Sequence, residues 1–577
     1  MNIKGAKLFV KALKEEKVDT LFAYPGGQAI DLFDALYGEE SINVILPRHE
    51  QGLVHAADGY ARATGRVGVC LVTSGPGATN LVTGIATANF DSVPLVCFTG
   101  QVPLGLIGND AFQEADIVGI TRNISKWSVT VRRREDLGPI IKKAFYIART
   151  GKPGVVVVDL PKNIQLESGS DEYPADIDIR SYKPNTEVHI GQVKRAIRVM
   201  KKAKRPLFLL GGGVNISRAR DEMLRLVEHS RIPVVTTIMG KGAIPTDHPL
   251  YIGNLGIHGS YAANKSVSKC DVLISIGSRF NDRITGKIDE FAKGAKIIHI
   301  DIDTASISRN IAVDIPIVGD AKNAILLLDE YIKELPTEDW LGQIDAWKSE
   351  HPINEGCEEV PGVTPYKVIR EINKRFDSPV ITTDVGQNQM WTTQFIELKN
   401  GASMLTSGGL GTMGYGFPAA IGAKLGCPDK PVIAISGDGG IQMNIQEMAT
   451  AVVYELPVII CVFNNGYLGN VRQWQELFYG RRYSSVCLRR RKSCPTVCDA
   501  PCKDCPPFTP DLVKLAESYG ALGIRVEREE DIAAAFDRAA GESDRPTLIE
   551  FIISREEDVM PMVPPGNPLS DVILRES

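Results

Sequence analysis

The sequence predicts an α/β protein built from three doubly wound, parallel-sheet domains, and three observations predict it. Strand-length apolar runs alternate with helix-period segments along most of the 577 residues, as parallel sheets covered on both faces require. Two polar, Pro-containing stretches interrupt that alternation. The first and last thirds share one layout of strand, Gly turn, helix, Pro and strand. A chain of this length also exceeds what one hydrophobic core supports.

Taken in order, MNIKGAKLFVKALKEEKV reads as an amphipathic helix with Lys on its wet face. It lacks the apolar stretch and cleavage site of a secretory signal, so it is expected to begin the fold. The runs GVCLVTSG, PLVCFTG and GVVVVDLP place the strands of a first domain over residues 1–165, and residues 166–187 read as a linker. RPLFLLGGG, IPVVTT, DVLISIG and AKIIHIDID mark a second domain over 188–335. A second soft stretch follows, from LPTEDW to EEVPGV. It leads into a third domain over 362–555 and a C-terminal tail over 556–577.

Composition narrows the function class. With 44% apolar residues, 23% charged residues and a net charge of -5, the chain is neither disordered nor a nucleic-acid-coating protein. Its longest apolar runs, such as Leu456 to Phe463, are too short to span a bilayer. A cytoplasmic location without membrane or nucleic-acid partners is expected. Cys70, Cys97, Cys270, Cys357, Cys427 and Cys461 stand singly, as small core residues do.

The echo between the outer domains is specific in its spacing. Gly75 precedes Pro94 by 19 residues and Gly437 precedes Pro457 by 20. Any two βαβ units share part of this layout, and a duplicated fold accounts for all of it. In the later copy the strand PVIAIS runs into Gly437-Asp438-Gly439-Gly440. Asn465 follows Asp438 after 26 intervening residues, which include the strand PVIICVF. A carboxylate and an amide at the C-terminal ends of adjacent parallel strands can share one hard cation, with phosphate oxygens completing its shell. The glycines admit a phosphate close to the backbone, and the helix N-terminus that follows favours its charge. This spacing is similar to the thiamine-diphosphate signature, which would make Asp438, Asn465 and the Tyr467 carbonyl ligands of Mg.

That cofactor needs a carboxyl group beside its pyrimidine ring to share a proton with N1′. Glu50, between the strand-like INVILP and the helix GLVHAADGYARA, fits that role. An exposed glutamate in a favourable helix dipole would fit the residue alone equally well. Met413, in GGLGTMGYGFPAAIGA, is either an apolar prop for a bent cofactor or a core methionine. Gln387, Asn388 and Gln389 follow the strand PVITTD and are expected to donate to the diphosphate.

Over nearly its whole length the chain resembles the acetohydroxyacid synthase (acetolactate synthase) large-subunit family. The matching stretches are AYPGG, RHEQG, YARATG, TSGPGATNLVTGIA, DAFQEADIVGITR, GKGAIP, HGSYAANK, FNDRITGK, HIDID, GLGTMGYGFPAAIGA and VRQWQELF. The resemblance implies pyruvate decarboxylation and ligation of the two-carbon fragment to a second pyruvate or to 2-oxobutyrate. That is the first common step of branched-chain amino-acid synthesis. It implies thiamine diphosphate held by Pro25, Gly26, Gly27 and the residues above, and a homo-oligomer with active sites between subunits. A small regulatory subunit and the choice of dimer or tetramer are left open. A structural FAD is implied across Lys152, the His258 to Arg279 and Asp301 to Asp320 segments, and Gly211, Gly212 and Gly213. Within those segments it falls to His258, Gly259, Gly277, Arg279, Asp301, Ile302 and Asp320. Arg283 would take the second substrate's carboxylate. Trp474 would shape its pocket, while Phe112, Gln113 and Lys126 line the approach.

Departures accompany the resemblance. GQNQM places Asn388 where the family usually has His, and Lys152 stands where an Arg usually meets FAD, keeping the charge without the bidentate fork. Trp127 follows Lys126 in place of His, and FDDR is Phe280-Asn281-Asp282-Arg283. The largest departure is an insertion, VCLRRRKSCPTVCDAPCKDCPPF, at the family's active-site lid. Cys487, Cys494, Cys498, Cys502 and Cys505 stand in it, at spacings that suit either a thiolate metal site or a plain reduced loop.

Overall fold

The computed structural model describes residues 2–399, 401–498 and 505–575. Strand β1 (Asn2–Lys4) opens the chain, and the next six strands form one all-parallel sheet. They are β2 (Thr20–Ala23), β3 (Asn43–Ile45), β4 (Gly68–Val72), β5 (Leu95–Gln101), β6 (Trp127–Thr130) and β7 (Val155–Pro161), in the order β3-β2-β4-β5-β7-β6. Every residue of β4, β5 and β7 is buried. Helices therefore cover both faces, and the strands read as unbroken apolar runs.

Strand β8 (Ser168–Ser170) lies in the expected linker and pairs antiparallel with β1, tying the linker back to the first domain. The second sheet contains β9 (Pro206–Leu210), β10 (Val234–Thr236), β11 (Tyr251–Asn254), β12 (Val272–Ile276), β13 (Lys296–Asp301) and β14 (Ile315–Val318). Its order, β11-β10-β9-β12-β13-β14, is the 3-2-1-4-5-6 arrangement of dinucleotide-binding sheets. The second soft stretch departs from expectation by containing a helix, Glu338–Glu350. Trp340, Ile344 and Trp347 recur at helical spacing on one face, and the Trp340 indole donates to the Pro206 carbonyl.

The third sheet holds β15 (Val380–Thr383), β16 (Ser403–Thr406), β17 (Val432–Gly437), β18 (Ile459–Asn464), β19 (Leu522–Val526) and β20 (Thr547–Ile552). Its order, β16-β15-β17-β18-β20-β19, repeats that of the first sheet strand for strand. In both, the strand order reverses between the first and third strands, β2 and β4 in one and β15 and β17 in the other. Such reversals open the crevices where ligands bind.

The outer domains meet along two helices, Glu50–Thr64 and Gly416–Gly426. A Cβ on Gly59 would lie 2.1 Å from the Ala419 carbonyl oxygen, and one on Gly422 would lie 1.8 Å from that of Ala56. Glycine at both positions lets the two backbones touch. Beside this crossing, Arg62 donates to Asp58 at 2.6 Å, to Asp91 at 3.0 Å and to the Thr406 carbonyl at 3.0 Å. Tyr415 also donates to Asp58, at 2.6 Å. Among the described residues no helix is long and apolar enough to cross a membrane.

Candidate active site

The C-terminal edge of the first sheet gathers several of the expected residues. Glu50 opens its helix behind His49, whose ring accepts from the Gln51 N–H. The Glu50 carboxylate accepts from Asn80 at 2.9 Å, and Gly77 leaves the space beside its other oxygen open. Gly26 packs on Thr73, while Pro25 and Gly27 are exposed on the same edge. Gln113 holds a positive φ of 60° and lays its backbone over Gly75. Its neighbour Phe112 is 85% exposed, so this edge is open to solvent in the single chain.

Lys126 departs from expectation. Its ammonium donates to the Ile147 carbonyl, to the Thr150 carbonyl at 2.9 Å and to the Tyr182 hydroxyl at 2.9 Å. It is anchored to the first domain and to the linker. Burial, with a smaller contribution from Lys152, lowers it to about 8.

At the third sheet the expected metal loop is assembled. Asp438 follows β17, is buried, and accepts from the Gly466 N–H at 3.1 Å, while Asn465 accepts from the Tyr467 N–H at 2.9 Å. Burial pushes the Asp438 carboxyl up to about 7, an environment that favours a cation at its side. Tyr467 pairs with Cys487 across a short antiparallel bridge whose hydrogen bonds fall on the flanking residues. The Tyr467 carbonyl therefore points away from the bridge. Met413, Leu468 and Leu488 converge above Gly439, where a Cβ would meet the Leu468 side chain at 2.9 Å and the Met413 methyl at 3.7 Å. Gly440 is equally confined, since a Cβ there would lie 2.5 Å from the Asp384 carboxylate, while Gly437 has only the Asn388 amide oxygen nearby, at 3.5 Å.

The helix after β15 differs from its expected use. The Asn388 NH2 group is held by the Asp384 and Ile435 carbonyls, at 3.0 and 3.1 Å, which turns its oxygen toward Gly437. Gln387 donates to Gln473 and to the Glu557 carbonyl, and Gln389 to Thr406. Protein acceptors thus engage all three amides.

Where the three domains meet lies a cavity of about 980 Å³ lined by Lys152, Gly212, Gly213, His258, Gly277, Arg279, Asp301, Ile302 and Asp320. Arg283 and Trp474 line it too. Gly211 lies behind the wall, where a Cβ would meet the Gly277 carbonyl oxygen at 2.1 Å, and Gly259 packs against the Asn254 carbonyl. The Gly211–Gly277 contact lies at the reversal between β9 and β12, where a dinucleotide sheet receives its ligand. Lys152 pairs with Asp303 at 2.9 Å, and Asp320 caps the helix Ala321–Tyr331. His258 Nδ1, Asn281 Oδ1, Asn470 Oδ1 and Trp474 Nε1 are buried without hydrogen-bond partners, and all four residues line the cavity. The volume and the Gly-rich floor suit a dinucleotide.

Sequence reasoning missed Asp384 and Glu447. Asp384 accepts from the Gly414 N–H at 3.0 Å and the Gly416 N–H at 3.2 Å, pinning the loop that carries Met413. Both partners lie about 30 residues away, and no local spacing announced them. In the insertion, Cys487 sits beside Tyr467 and Cys494 accepts from the Arg491 N–H. Cys502 lies outside the described residues. Among the described residues no group of three or more His, Cys, Asp or Glu side chains surrounds a metal position.

Comparison with known proteins agrees with this layout. Residues 3–120, 193–328 and 384–551 match the N-terminal TPP binding domain, the central domain and the C-terminal TPP binding domain of thiamine pyrophosphate enzymes. A probable acetolactate synthase large subunit of Methanocaldococcus jannaschii is 48% identical, covering 99% of this chain and 95% of its own. An acetolactate synthase large subunit of Corynebacterium glutamicum is 45% identical, covering 98% and 90%. One of Haemophilus influenzae is 40% identical, covering 99% and 98%.

Proposed function

The chain belongs to the acetolactate synthase large-subunit family of thiamine pyrophosphate enzymes, and on that premise we infer that it is a thiamine-diphosphate-dependent acetolactate synthase. It decarboxylates pyruvate and ligates the two-carbon fragment to a second pyruvate or to 2-oxobutyrate. The observation that carries this reading is the pairing of Asp438 and Asn465 at the ends of adjacent strands, with the Gly466 N–H on Asp438 at 3.1 Å.

Asp438, Asn465 and the Tyr467 carbonyl would hold Mg, and Gly437 to Gly440 would lie along the diphosphate. When bound, thiamine diphosphate supplies a nucleophilic carbon and an electron sink for decarboxylation. The protein's own work is proton handling, orientation and water exclusion. Glu50 shares a proton with the pyrimidine nitrogen, and Asn80, at 2.9 Å, fixes the direction of its carboxylate. Met413, Leu468 and Leu488 form an apolar roof above Gly439 that would prop the bound cofactor and keep water away. Arg283 offers its guanidinium fork to the acceptor's carboxylate, and Trp474 lines the same cavity. Gln113, with its backbone laid over Gly75, borders the Glu50 edge.

FAD occupies the 980 Å³ cavity in this reading, supported by the sheet order of the second domain and by the close approach of Gly211 and Gly277. It serves structure rather than turnover. A homo-oligomer places Glu50 opposite a partner's metal loop. The open, Phe112-bearing edge around Glu50 supports this arrangement, since one chain alone leaves that edge uncovered. A separate small regulatory subunit belongs to the same proposal, on the strength of the large-subunit names of the relatives. The setting is the shared first step of branched-chain amino-acid synthesis in the cytoplasm.

One assay tests the reading. Purified protein with pyruvate, Mg, thiamine diphosphate and FAD should form acetolactate while the flavin stays oxidised, and Glu50→Gln should abolish CO2 release. Bleaching of the flavin by pyruvate would identify an oxidase instead, and acetaldehyde as sole product would identify a simple decarboxylase.

A further inference from the structure

Glu50 can share a proton with the pyrimidine ring only if its carboxyl is held at a fixed height. The residues just before it supply that support. Arg48 and His49 precede the first turn of the helix Glu50–Thr64, and their backbone N–H groups have no partner within that helix. Both donate to the Glu447 carboxylate. Arg48 lies 3.1 Å from each oxygen, and His49 lies 3.0 Å from Oε1. Glu447 is 1% exposed, and its Oε2 accepts from the Thr450 hydroxyl at 2.7 Å. A Cβ on Gly52 would stand 2.4 Å from Oε1, so only glycine there lets the helix's first turn settle onto this carboxylate.

Glu447 belongs to the third domain, in the crossover that begins at Asp438 and leads to β18. Asn444, three residues earlier, donates to the Gly414 carbonyl at 2.8 Å and so grips the loop bearing Met413. One short segment therefore ends the metal loop, steadies the apolar roof and receives the two N–H groups ahead of Glu50. Bonds from N–H groups to a buried carboxylate are among the stronger in a protein, and losing them would leave two half-buried donors unpaired.

We propose that Glu447 is a positioning residue, holding the Arg48-His49 turn so that the Glu50 carboxyl is presented to the cofactor's pyrimidine nitrogen. The proposal rests on the assignment of Glu50 above. Proton sharing between Glu50 and the ring depends steeply on distance and direction. Glu447 thus acts on cofactor activation, and cofactor binding is left nearly intact.

The test uses the full chain loaded with saturating thiamine diphosphate and Mg, without substrate. It measures exchange of the cofactor's C2 proton into deuterated water, together with the cofactor dissociation constant. Glu447→Gln keeps the volume and removes the charge. Exchange at saturation should fall about 10- to 100-fold, the change expected for losing charge-assisted bonds, with the dissociation constant within about threefold of the parent. Glu447→Asp should recover part of the rate. Should Glu447→Gln fail to fold, Thr450→Val removes only the hydroxyl steadying Oε2, and exchange should then fall about threefold. A purely packing role predicts lower thermal stability with exchange at saturation unchanged. Exchange within twofold of the parent in Glu447→Gln, or in Thr450→Val if that variant alone folds, overturns the proposal. Glu50→Gln serves as the reference in the same assay. If it still exchanges, the assignment of Glu50 fails; if it is silent while Glu447→Gln exchanges normally, only the role of Glu447 fails.

Discussion

Replacing Gly422 by alanine sets two effects of opposite sign against each other. Gly422 lies inside the helix Gly416–Gly426, and alanine in a helix interior gains about 1 kcal/mol in propensity. Its Cβ, however, would lie 1.8 Å from the Ala56 carbonyl oxygen and 2.8 Å from the Tyr60 nitrogen. Both are backbone atoms that cannot rotate aside. Reaching ordinary contact requires the two helices to part by more than about 1 Å, and a gap of that size forfeits a quarter to a half of the dispersion across a seam. Overpacking of this kind costs about 2 to 4 kcal/mol, at the upper end of the usual range because neither atom can yield. The net effect is a destabilisation of about 1 to 3 kcal/mol. Gly342 is the matched control, exposed in the middle of the helix Glu338–Glu350 with nothing within 4 Å of its Cβ position. Thermal and urea midpoints should fall for Gly422→Ala and rise slightly for Gly342→Ala. The helix that would move begins with Glu50, so Gly422→Ala should also lose turnover. A Gly422→Ala protein at least as stable as the parent would refute the argument from backbone contact.

Three further outcomes follow from particular contacts. Burial, aided by Arg62, lowers His55 to about 3, so the unfolded chain takes up a proton below pH 6.5 that the folded chain refuses. That stability is present above pH 6.5 and is lost as pH falls toward 3, about 1.4 kcal/mol being gone at pH 5.5. His55→Phe should flatten the acid limb of a stability-versus-pH curve by one proton, and an unchanged limb would contradict the assignment. Asp384→Asn turns an acceptor into a donor facing the Gly414 or Gly416 N–H; loosening the Met413 loop should raise the thiamine diphosphate dissociation constant about tenfold, equivalent to about 1.4 kcal/mol, and fluorescence titration would read it. Lys152→Arg adds a bidentate fork in the large cavity and should tighten FAD severalfold; equal or weaker flavin retention on gel filtration would argue against a flavin at that wall.

How much could be read from the chain depends on the range of the signal. The parallel sheets were legible because fully buried strands such as β4 and β7 are continuous apolar runs. The echo around Gly75 and Gly437 matches two sheets of identical strand order. Asp438 and Asn465 were legible because a strand-helix-strand unit fixes the spacing between them. Glu447 was not, since its partners Arg48 and His49 lie 399 and 398 residues away and nothing in NIQEMAT sets one carboxylate apart. The protein contacts of Lys126 and Asn388 were hidden for a related reason. Each was assigned by its neighbours in sequence, while its donors were taken up by carbonyls contributed from other segments, Ile147 and Thr150 for one and Ile435 for the other. The helix at Glu338–Glu350 was hidden by the polar residues around its two tryptophans.

The short bridge between Tyr467 and Cys487 sets how the enzyme can vary. On one side of the cysteine-rich segment Leu488 N–H reaches the Gly466 carbonyl, and on the other Phe508 stacks beneath the Arg489 guanidinium at 4.8 Å, again beside Gly466. The excursion thus leaves the cofactor loop and comes back to it at nearly one place. For a stretch whose ends are pinned together, each doubling of length costs only about 0.6 kcal/mol in closure entropy. Added or deleted residues between those pins need not propagate strain to the metal loop. The segment can therefore lengthen or shorten at little cost to the metal loop.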